Sequence, residues 1–263
     1  MCGWEPAVIV SQGSRAKDMA AMNDAQALFS LLPTTISKIQ TTITEVRFRR
    51  YLRRTRDDGR IALELYRWNS FLAHSLYWPI QTLEVASRNS ISNVLTYRFG
   101  RDWHTSEKFR RQLSAEDANK LNETIERQCR ERKIRNPPVD AVVADLPFGF
   151  WTSMLTARYA VPLIWQKNLS VAFPHMPAAL PLKSVLRPME DVRILRNRIA
   201  HHEPIFDRRL DLAYGEILRI IEWICPASRW YVEQTSVFPD TWAACPVHDI
   251  RGAAISASHR PIR

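Results

Sequence analysis

The stretch IALELYRWNSFLAHSLYWPIQTLEVASRNSISNVLTYRFG, residues 61–100, decides the fold class. It is long, apolar and aromatic, as is typical of helices that pack into a core. Pro79 has no backbone N–H to donate, so the stretch is predicted to form two helices, about 58–77 and 80–98. Gly100 is predicted to end the second of them.

The segments beyond this stretch also carry helix signals. Ser114-Ala-Glu-Asp is typical of a helix start, and further helices are predicted at 180–201 and at about 207–225. Alternating Val-rich strands and Asn-Gly hairpin turns are missing from the sequence. The predicted fold class is therefore all-α, a helical bundle with accessory helices.

Three regions are predicted along the 263 residues. Residues 1–35 are predicted to be an N-terminal arm of uncertain order with one short helix at 16–32. Residues 36–238 form the main helical domain, and residues 239–263 a loosely held tail. Apolar residues make up 46% of the chain, with nine Trp and only seven Gly, so a sizeable core is expected.

The cysteine pattern argues against a metal site and against a disulfide framework. Cys2, Cys129, Cys225 and Cys245 show neither CxxC nor CxxxC spacing. No apolar run approaches the roughly 20 residues of a membrane-spanning helix, and the N-terminus lacks a signal-peptide pattern. We expect a cytoplasmic protein with no metal, no cofactor and no membrane partner.

Positive charge is concentrated near the start of the main domain. The whole chain carries 37 Lys and Arg against 27 Asp and Glu, a net charge of +10 that attracts polyanions, although many basic proteins bind no nucleic acid. The arginine-rich segment 37–59 has helical spacing at Ile43, Val46 and Leu52. It is either a solvated helix face or an RNA contact. The candidate RNA-binding residues are Arg47, Arg49, Arg50, Arg53 and Arg54.

The nonapeptide RNRIAHHEP, residues 196–204, places several polar side chains at a helix end. Asn197 and His201 are four residues apart and lie on nearly the same helical face, and the long side chain of Arg196 can reach the same point. Pro204 disfavours helical geometry just before it, so the helix is predicted to end near His202. His201 then lies in the last turn, where the helix dipole favours a protonated imidazole.

Arg196 is also predicted to interrupt an apolar stripe. The apolar residues at helical spacing are Leu182, Val185, Met189, Val192 and Ile199. Arg196 falls in the gap between Val192 and Ile199. A guanidinium in that position needs a carboxylate, a phosphate or water as its partner. Arginine and histidine are also common caps of helix C-termini, so the stretch is either a functional site or an ordinary cap.

The Arg-Asn-x-x-x-His arrangement of Arg196, Asn197 and His201 resembles the signature of the HEPN-superfamily ribonucleases. Four stretches in order narrow the resemblance to the Abi-like, AbiD/AbiF-type abortive-infection proteins of bacteria. These stretches are ALELYRWNSFL (62–72), LEVASRNSI (83–91), LPFGFWTSML (146–155) and ILRNRIAHHEPIF (194–206). The resemblance extends over about residues 40–235 and implies a HEPN-like helical core.

The resemblance also implies a metal-independent RNA endonuclease that acts as an abortive-infection or toxin–antitoxin toxin. In such enzymes the 2′-hydroxyl attacks the neighbouring phosphate, which leaves a 2′,3′-cyclic phosphate and a 5′-hydroxyl. Carried over to this sequence, His201 is the general acid or base, Arg196 stabilises the charge on the phosphate, and Asn197 positions it.

Two partners besides the RNA substrate are expected. Each chain supplies one motif histidine, whereas concerted acid–base chemistry needs two, so a homodimer with a composite active site is implied. A nuclease of this kind also needs restraint by a cognate antitoxin, a small structured RNA or a protein, and the basic helix at 47–60 is a reasonable docking surface for it.

Several neighbouring residues have two interpretations. His202 fits the motif with one more intervening residue, so it either shares the role of His201 or caps the helix. Glu84 either orients Arg196 or the catalytic histidine, or forms an intrahelical i,i+4 salt bridge with Arg88. Aromatic side chains that either stack on bases or belong to the core are Tyr66, Trp68, Phe148, Phe150 and Trp151.

Two rival functions remain open at the level of sequence. In the first, the protein is a non-catalytic RNA-binding HEPN module, in which Arg196 and His201 hold phosphate without cleaving RNA. In the second, it is an α-helical interaction protein whose motif is an ordinary helix cap.

Overall fold

The computed structural model of the chain describes residues 33–247. Thirteen helices and no strand occur between these limits, which confirms the all-α prediction. The predicted helix at 16–32 lies outside the described residues. The helices are α1 (Pro33–Ile43), α2 (Glu45–Arg54), α3 (Gly59–Phe99), α4 (Glu107–Arg110), α5 (Ala115–Arg132), α6 (Val139–Asp145), α7 (Phe148–Ser153), α8 (Ala157–Ala160), α9 (Trp165–Ala172), α10 (Lys183–Ala200), α11 (Leu210–Ile224), α12 (Pro226–Thr235) and α13 (Phe238–Ala243).

The chain divides into two compact units, with the boundary after Glu64. In the first unit α1 and α2 pack together, and the turn between them places Thr44 at a φ of 76°. Phe48 and Tyr51 are the buried residues of α2, whereas Val46 is 80% exposed. The predicted apolar spacing through Val46 was therefore wrong, because the two aromatic side chains, three residues apart, provide the buried face.

The predicted break at Pro79, which lies in the second unit, is wrong, since α3 continues through it as one 41-residue helix. A proline inside a helix removes one backbone hydrogen bond. Leu76, Ile80 and Leu83 are all buried, so the apolar face keeps its helical register on both sides of the proline. Gly100 ends the helix as predicted, with a φ of +93° that favours glycine.

The second unit contains the main aromatic core. Helix α10 packs against α7 and α11, and α11 packs against α12. Four of the five candidate stacking aromatics are core residues, which confirms the core interpretation for Trp68, Phe148, Phe150 and Trp151, while Tyr66 is half-buried.

Packing in the second unit continues beyond residue 239, where the predicted tail begins. The Trp68 indole N–H donates to the Thr241 carbonyl at 2.8 Å. The Trp68 and Trp242 rings stack with their centroids 5.9 Å apart. Helix α13 is therefore held on the core. The limits of the functional domain stay a prediction.

A buried carboxylate ties α5 to the helices that follow it. Ser114 caps α5 as predicted, because its Oγ accepts from the Asp117 backbone N–H at 3.1 Å. The Asp117 carboxylate accepts from the hydroxyls of Ser114, Ser153 and Tyr159, at 2.8, 2.9 and 2.6 Å. Burial, followed by this bond to Asp117, raises the pKa of the Tyr159 hydroxyl. The cluster therefore joins α5 to α7 and α8, and α7 in turn packs against α10.

Candidate functional site

Helix α10 carries the motif stretch, and its buried face differs from the predicted one. The residues that face the core are Val185, Met189, Val192 and Leu195. Leu195 is 4% exposed, whereas the side chain of Arg196 is 44% exposed. A helical repeat of 3.6 residues accepts steps of three or four, and the step after Val192 is three. The prediction that Arg196 interrupts the apolar stripe was therefore wrong: Arg196 lies beside the stripe.

Although it lies beside the apolar stripe, the Arg196 guanidinium has a carboxylate partner, as predicted. Its Nε lies 3.6 Å from Oε2 of Glu84 on α3, a carboxylate side chain that is 19% exposed. This is the only ion pair that either residue makes within the described chain. The two terminal guanidinium nitrogens of Arg196 are therefore uncommitted and can receive another anion.

Arg88 does not form the alternative salt bridge with Glu84 in the part of the chain that the structure describes. Its Nη1 instead donates to the Ala144 carbonyl at 3.0 Å, and its Nε is buried without a hydrogen-bond partner among residues 33–247. The geometry thus favours the interpretation in which Glu84 orients Arg196. The functional role of either residue stays a prediction.

Glu84, Arg88 and Arg196 line one cleft of about 330 Å³ between α3 and α10. Tyr77, whose side chain is 63% exposed, stands at its edge. The cleft is open to solvent and combines two cations and one carboxylate with an apolar wall. That wall and the remaining lining come from Tyr77, Ile80, Gln81, Val85, Ile199 and Ala200.

The helix end adopts the Schellman arrangement close to the predicted position. Helix α10 ends at Ala200 with His201 as the C-cap. His202 has a φ of 55°, its N–H donates to Ile199, and the Glu203 N–H donates to the Arg198 carbonyl at 2.8 Å. His202 is thus the left-handed residue that stops the helix, which is a structural role of its backbone.

The imidazoles of His201 and His202 are both exposed, and neither makes a hydrogen bond or ion pair within residues 33–247. His104, by contrast, is buried against the Pro137 carbonyl, and burial lowers the pKa of its imidazole. Both motif histidines can therefore meet a large external substrate, whereas His104 cannot.

The structure brings only part of the predicted site together in one chain. Glu84, Arg88 and Arg196 share the cleft, whereas Asn197, His201 and His202 are not among the residues that line it. No side-chain hydrogen bond joins Arg196, Asn197 and His201 in the described chain. Ala200 lines the cleft and precedes His201, so the histidine stands at the end of the helix that forms one wall.

Asn69 is a site residue that sequence reasoning missed. It lies on α3, is 6% exposed, and its Oδ1 accepts from the backbone N–H groups of Ile205 and Phe206 at 2.7 and 3.1 Å. These two bonds hold the chain just after the motif histidines. The available signal was a polar residue among Leu65, Trp68 and Leu72, all of which are buried.

Replacing Asn69 by leucine is expected to lower the free energy of unfolding by about 2–4 kcal/mol, because each buried N–H left without an acceptor costs about 1–3 kcal/mol. Asn69→Asp keeps the acceptor oxygen and is expected to lose less than half as much at pH 8. Urea unfolding of the two variants measures the difference. Equal losses would show that the two bonds do not hold this loop.

The candidate RNA-binding arginines lie in the first unit. Arg47, Arg49, Arg50, Arg53 and Arg54 are all exposed on α2. Arg49 pairs with Glu45 at 3.2 Å, a contact between two exposed side chains that contributes little to stability. The structure thus offers a cationic helix face for an anionic partner, and RNA binding by it stays a prediction.

Two further observations concern the predicted absence of metal and membrane partners. Within residues 33–247, no group of three His, Cys, Asp or Glu side chains is arranged to hold a metal ion. Among the described helices, none combines the length and apolar character that crossing a bilayer requires.

The protein is thus an all-α bundle with a polar, solvent-open candidate site. That site consists of the arginine–glutamate cleft and the exposed histidines at the end of α10. The profile of the Abi-like protein family matches residues 47–207, which is more than half of the chain. The chain therefore belongs to the Abi-like family of abortive-infection proteins. The match contains every candidate site residue from Arg47 to His202. No curated protein and no solved structure matches the chain.

Proposed function

We propose that this protein is a metal-independent RNA endonuclease of the HEPN type, acting as the toxin of an abortive-infection or toxin–antitoxin system. One observation carries the proposal. The Arg196 guanidinium, held by Glu84 on an open cleft, lies five residues before the exposed His201 that caps the same helix. Family membership and the net charge of +10 support it.

The chemistry requires only what these side chains supply. The ribose 2′-hydroxyl attacks the adjacent phosphorus as a histidine removes its proton, and the bond to the 5′-oxygen of the next nucleotide breaks. The 5′-oxygen then takes up a proton. His201 is the proton-transfer group, while the free guanidinium nitrogens of Arg196 bind the phosphoryl oxygens as negative charge builds on them. Asn197, on the same helix face as His201, positions the phosphate.

A second copy of the chain completes the proton transfer. One histidine accepts the proton of the nucleophile, and the His201 of a partner chain donates one to the leaving oxygen, in a homodimer with a composite site. The exposed arginine face of α2 is the surface on which a structured antitoxin RNA, or a protein antitoxin, docks to restrain the enzyme.

The test is cleavage of a labelled single-stranded RNA by the purified full chain in EDTA. Wild-type protein is expected to give fragments that end in 2′,3′-cyclic phosphate and begin with a 5′-hydroxyl. One deoxyribose at a mapped cleavage site is expected to abolish that cut alone, because it removes the nucleophile. A chain carrying both Arg196→Ala and His201→Ala, purified in parallel, controls for contaminating nuclease.

Four outcomes would contradict the proposal. Cleavage that persists at the deoxyribose position would exclude attack by the 2′-hydroxyl. If the double variant cleaves RNA at the wild-type rate, the activity belongs to other residues or to a contaminating nuclease. If the wild-type protein binds RNA but no fragments form, the protein is an RNA-binding module, and if it neither binds nor cuts, it is an interaction protein.

A further inference from the structure

A second cleft, of about 480 Å³, lies between α10 and α11. Its apolar lining includes Val192, Leu210 and Trp223, which are almost fully buried, and Leu212, which is 56% exposed. A volume of this size, with an apolar floor and a few converging polar groups, is typical of small-molecule sites.

This cleft is separate from the one that contains Arg196. No residue lines both clefts. Arg187 and Asp191 precede Arg196 by nine and five positions, which places them about 180° and 140° around the helix from it at 100° per residue. Helix α10 therefore presents two different clefts on two of its faces, and only one of them belongs to the proposed nuclease site.

Cationic side chains outnumber anionic ones around the second cleft. Arg209 is paired with Asp211 at 2.7 Å, and Arg219 is paired with Glu216. Lys183 and Arg187 are exposed and make no ion pair within residues 33–247. The lining cations are Lys183, Arg187, Arg208, Arg209 and Arg219, against the two carboxylates of Asp191 and Glu216.

Asp191 is half-buried in this cleft and accepts no hydrogen bond from the described residues. Burial raises the pKa of its carboxyl group, and the nearby Glu190 adds to this, although the charges of Arg187 and Arg208 act in the opposite direction. The Asp191 carboxylate is therefore an available acceptor on the wall of the cleft. An N–H or O–H group on a bound molecule can donate to it.

We propose that this cleft binds a nucleoside phosphate. The phosphates contact Lys183 and Arg187 at the rim. The planar base lies on the apolar lining near the exposed Leu212, because the Arg219 guanidinium lies over the Trp223 ring, 5.1 Å from its centroid. Asp191 accepts a hydrogen bond from the N–H groups of the base or from the ribose hydroxyls. This one ligand class combines negative charge, a flat apolar surface and hydrogen-bond donors, which match the cations, the apolar lining and the Asp191 acceptor of the cleft. The site does not depend on the proposed nuclease activity.

Isothermal titration of the full chain with GTP, ATP, guanosine and inorganic tripolyphosphate tests this assignment. A nucleoside triphosphate is expected to bind at least tenfold more tightly than either tripolyphosphate or guanosine. Arg187→Ala and Asp191→Asn are each expected to weaken its binding about tenfold, the usual effect of losing one charged hydrogen bond. Arg193→Ala is the matched control, because Arg193 lies on the same helix but pairs with Glu190 at 2.8 Å.

Three results would overturn the assignment. The first is the absence of nucleotide binding. The second is that tripolyphosphate binds as tightly as GTP and ATP, because the cleft would then be a nonspecific anion-binding patch. Binding that Arg196→Ala removes, while Arg187→Ala and Asp191→Asn leave it intact, would place the nucleotide in the other cleft.

Discussion

Replacing His201 by alanine is expected to lower the rate of RNA cleavage by about 10²–10⁴-fold, the usual contribution of a side chain that transfers a proton in the transition state. The fold should tolerate this change. The imidazole is exposed and makes no bond within the described chain, and the backbone N–H that donates to the Asn197 carbonyl at 2.9 Å is retained. Single-turnover cleavage under saturating protein, with thermal unfolding alongside, measures both effects.

His202→Gly is the matched control for His201→Ala. The φ of 55° at His202 suits glycine better than alanine, so glycine removes the imidazole without straining the turn that ends α10. We expect this variant to keep its stability and to cleave RNA within about threefold of the wild-type rate, well short of the loss from removing a proton-transfer group. If instead His202→Gly loses activity and His201→Ala does not, the proton transfer belongs to His202.

The fold class could be predicted from sequence because helical apolar spacing recurs along the whole chain. The predictions that were wrong concern features that depend on packing between helices. Pro79 was predicted to divide a helix, but burial of Leu76, Ile80 and Leu83 on both sides of it stabilises continuous helix. In α10, a step of three residues to Leu195 and a step of four to Arg196 fit the helical period equally well. Only contact with neighbouring helices distinguishes them.

The candidate site could likewise be predicted from sequence only where local geometry determines it. The spacing of Asn197 and His201, and the helix end near His202, follow from local rules of helix geometry. The partner of Arg196 does not, because Glu84 is more than a hundred residues away along the chain and could equally have paired with Arg88 on its own helix. The contact between Asn69 and the loop at Ile205 is also long-range. Local patterns therefore predict which residues are candidates, and the fold decides which of them meet.

Changing Glu84 to glutamine is expected to separate binding from catalysis. Loss of the carboxylate 3.6 Å from Nε frees the Arg196 guanidinium from its fixed position and removes one negative charge from the cleft. RNA should therefore bind somewhat more tightly, because the cleft becomes more cationic. The rate at saturation should fall about tenfold, because the guanidinium is no longer preorganised for the developing phosphate charge. Stability should change little, because the pair is partly exposed.

The loss in Glu84→Gln is compared with that in Arg196→Ala. The rate at saturation is expected to fall about 10²–10³-fold in Arg196→Ala, as for other preorganised groups that stabilise transition-state charge. Arg196→Lys keeps the charge but not the planar fork, so it should recover only part of the rate. Glu190→Gln, which frees Arg193 on the same helix, controls for a general change in charge. A lower KM together with a lower kcat in Glu84→Gln supports a positioning role. A higher kcat would mean that Glu84 withholds Arg196 from the phosphate, so that the ion pair restrains the enzyme instead of preparing it.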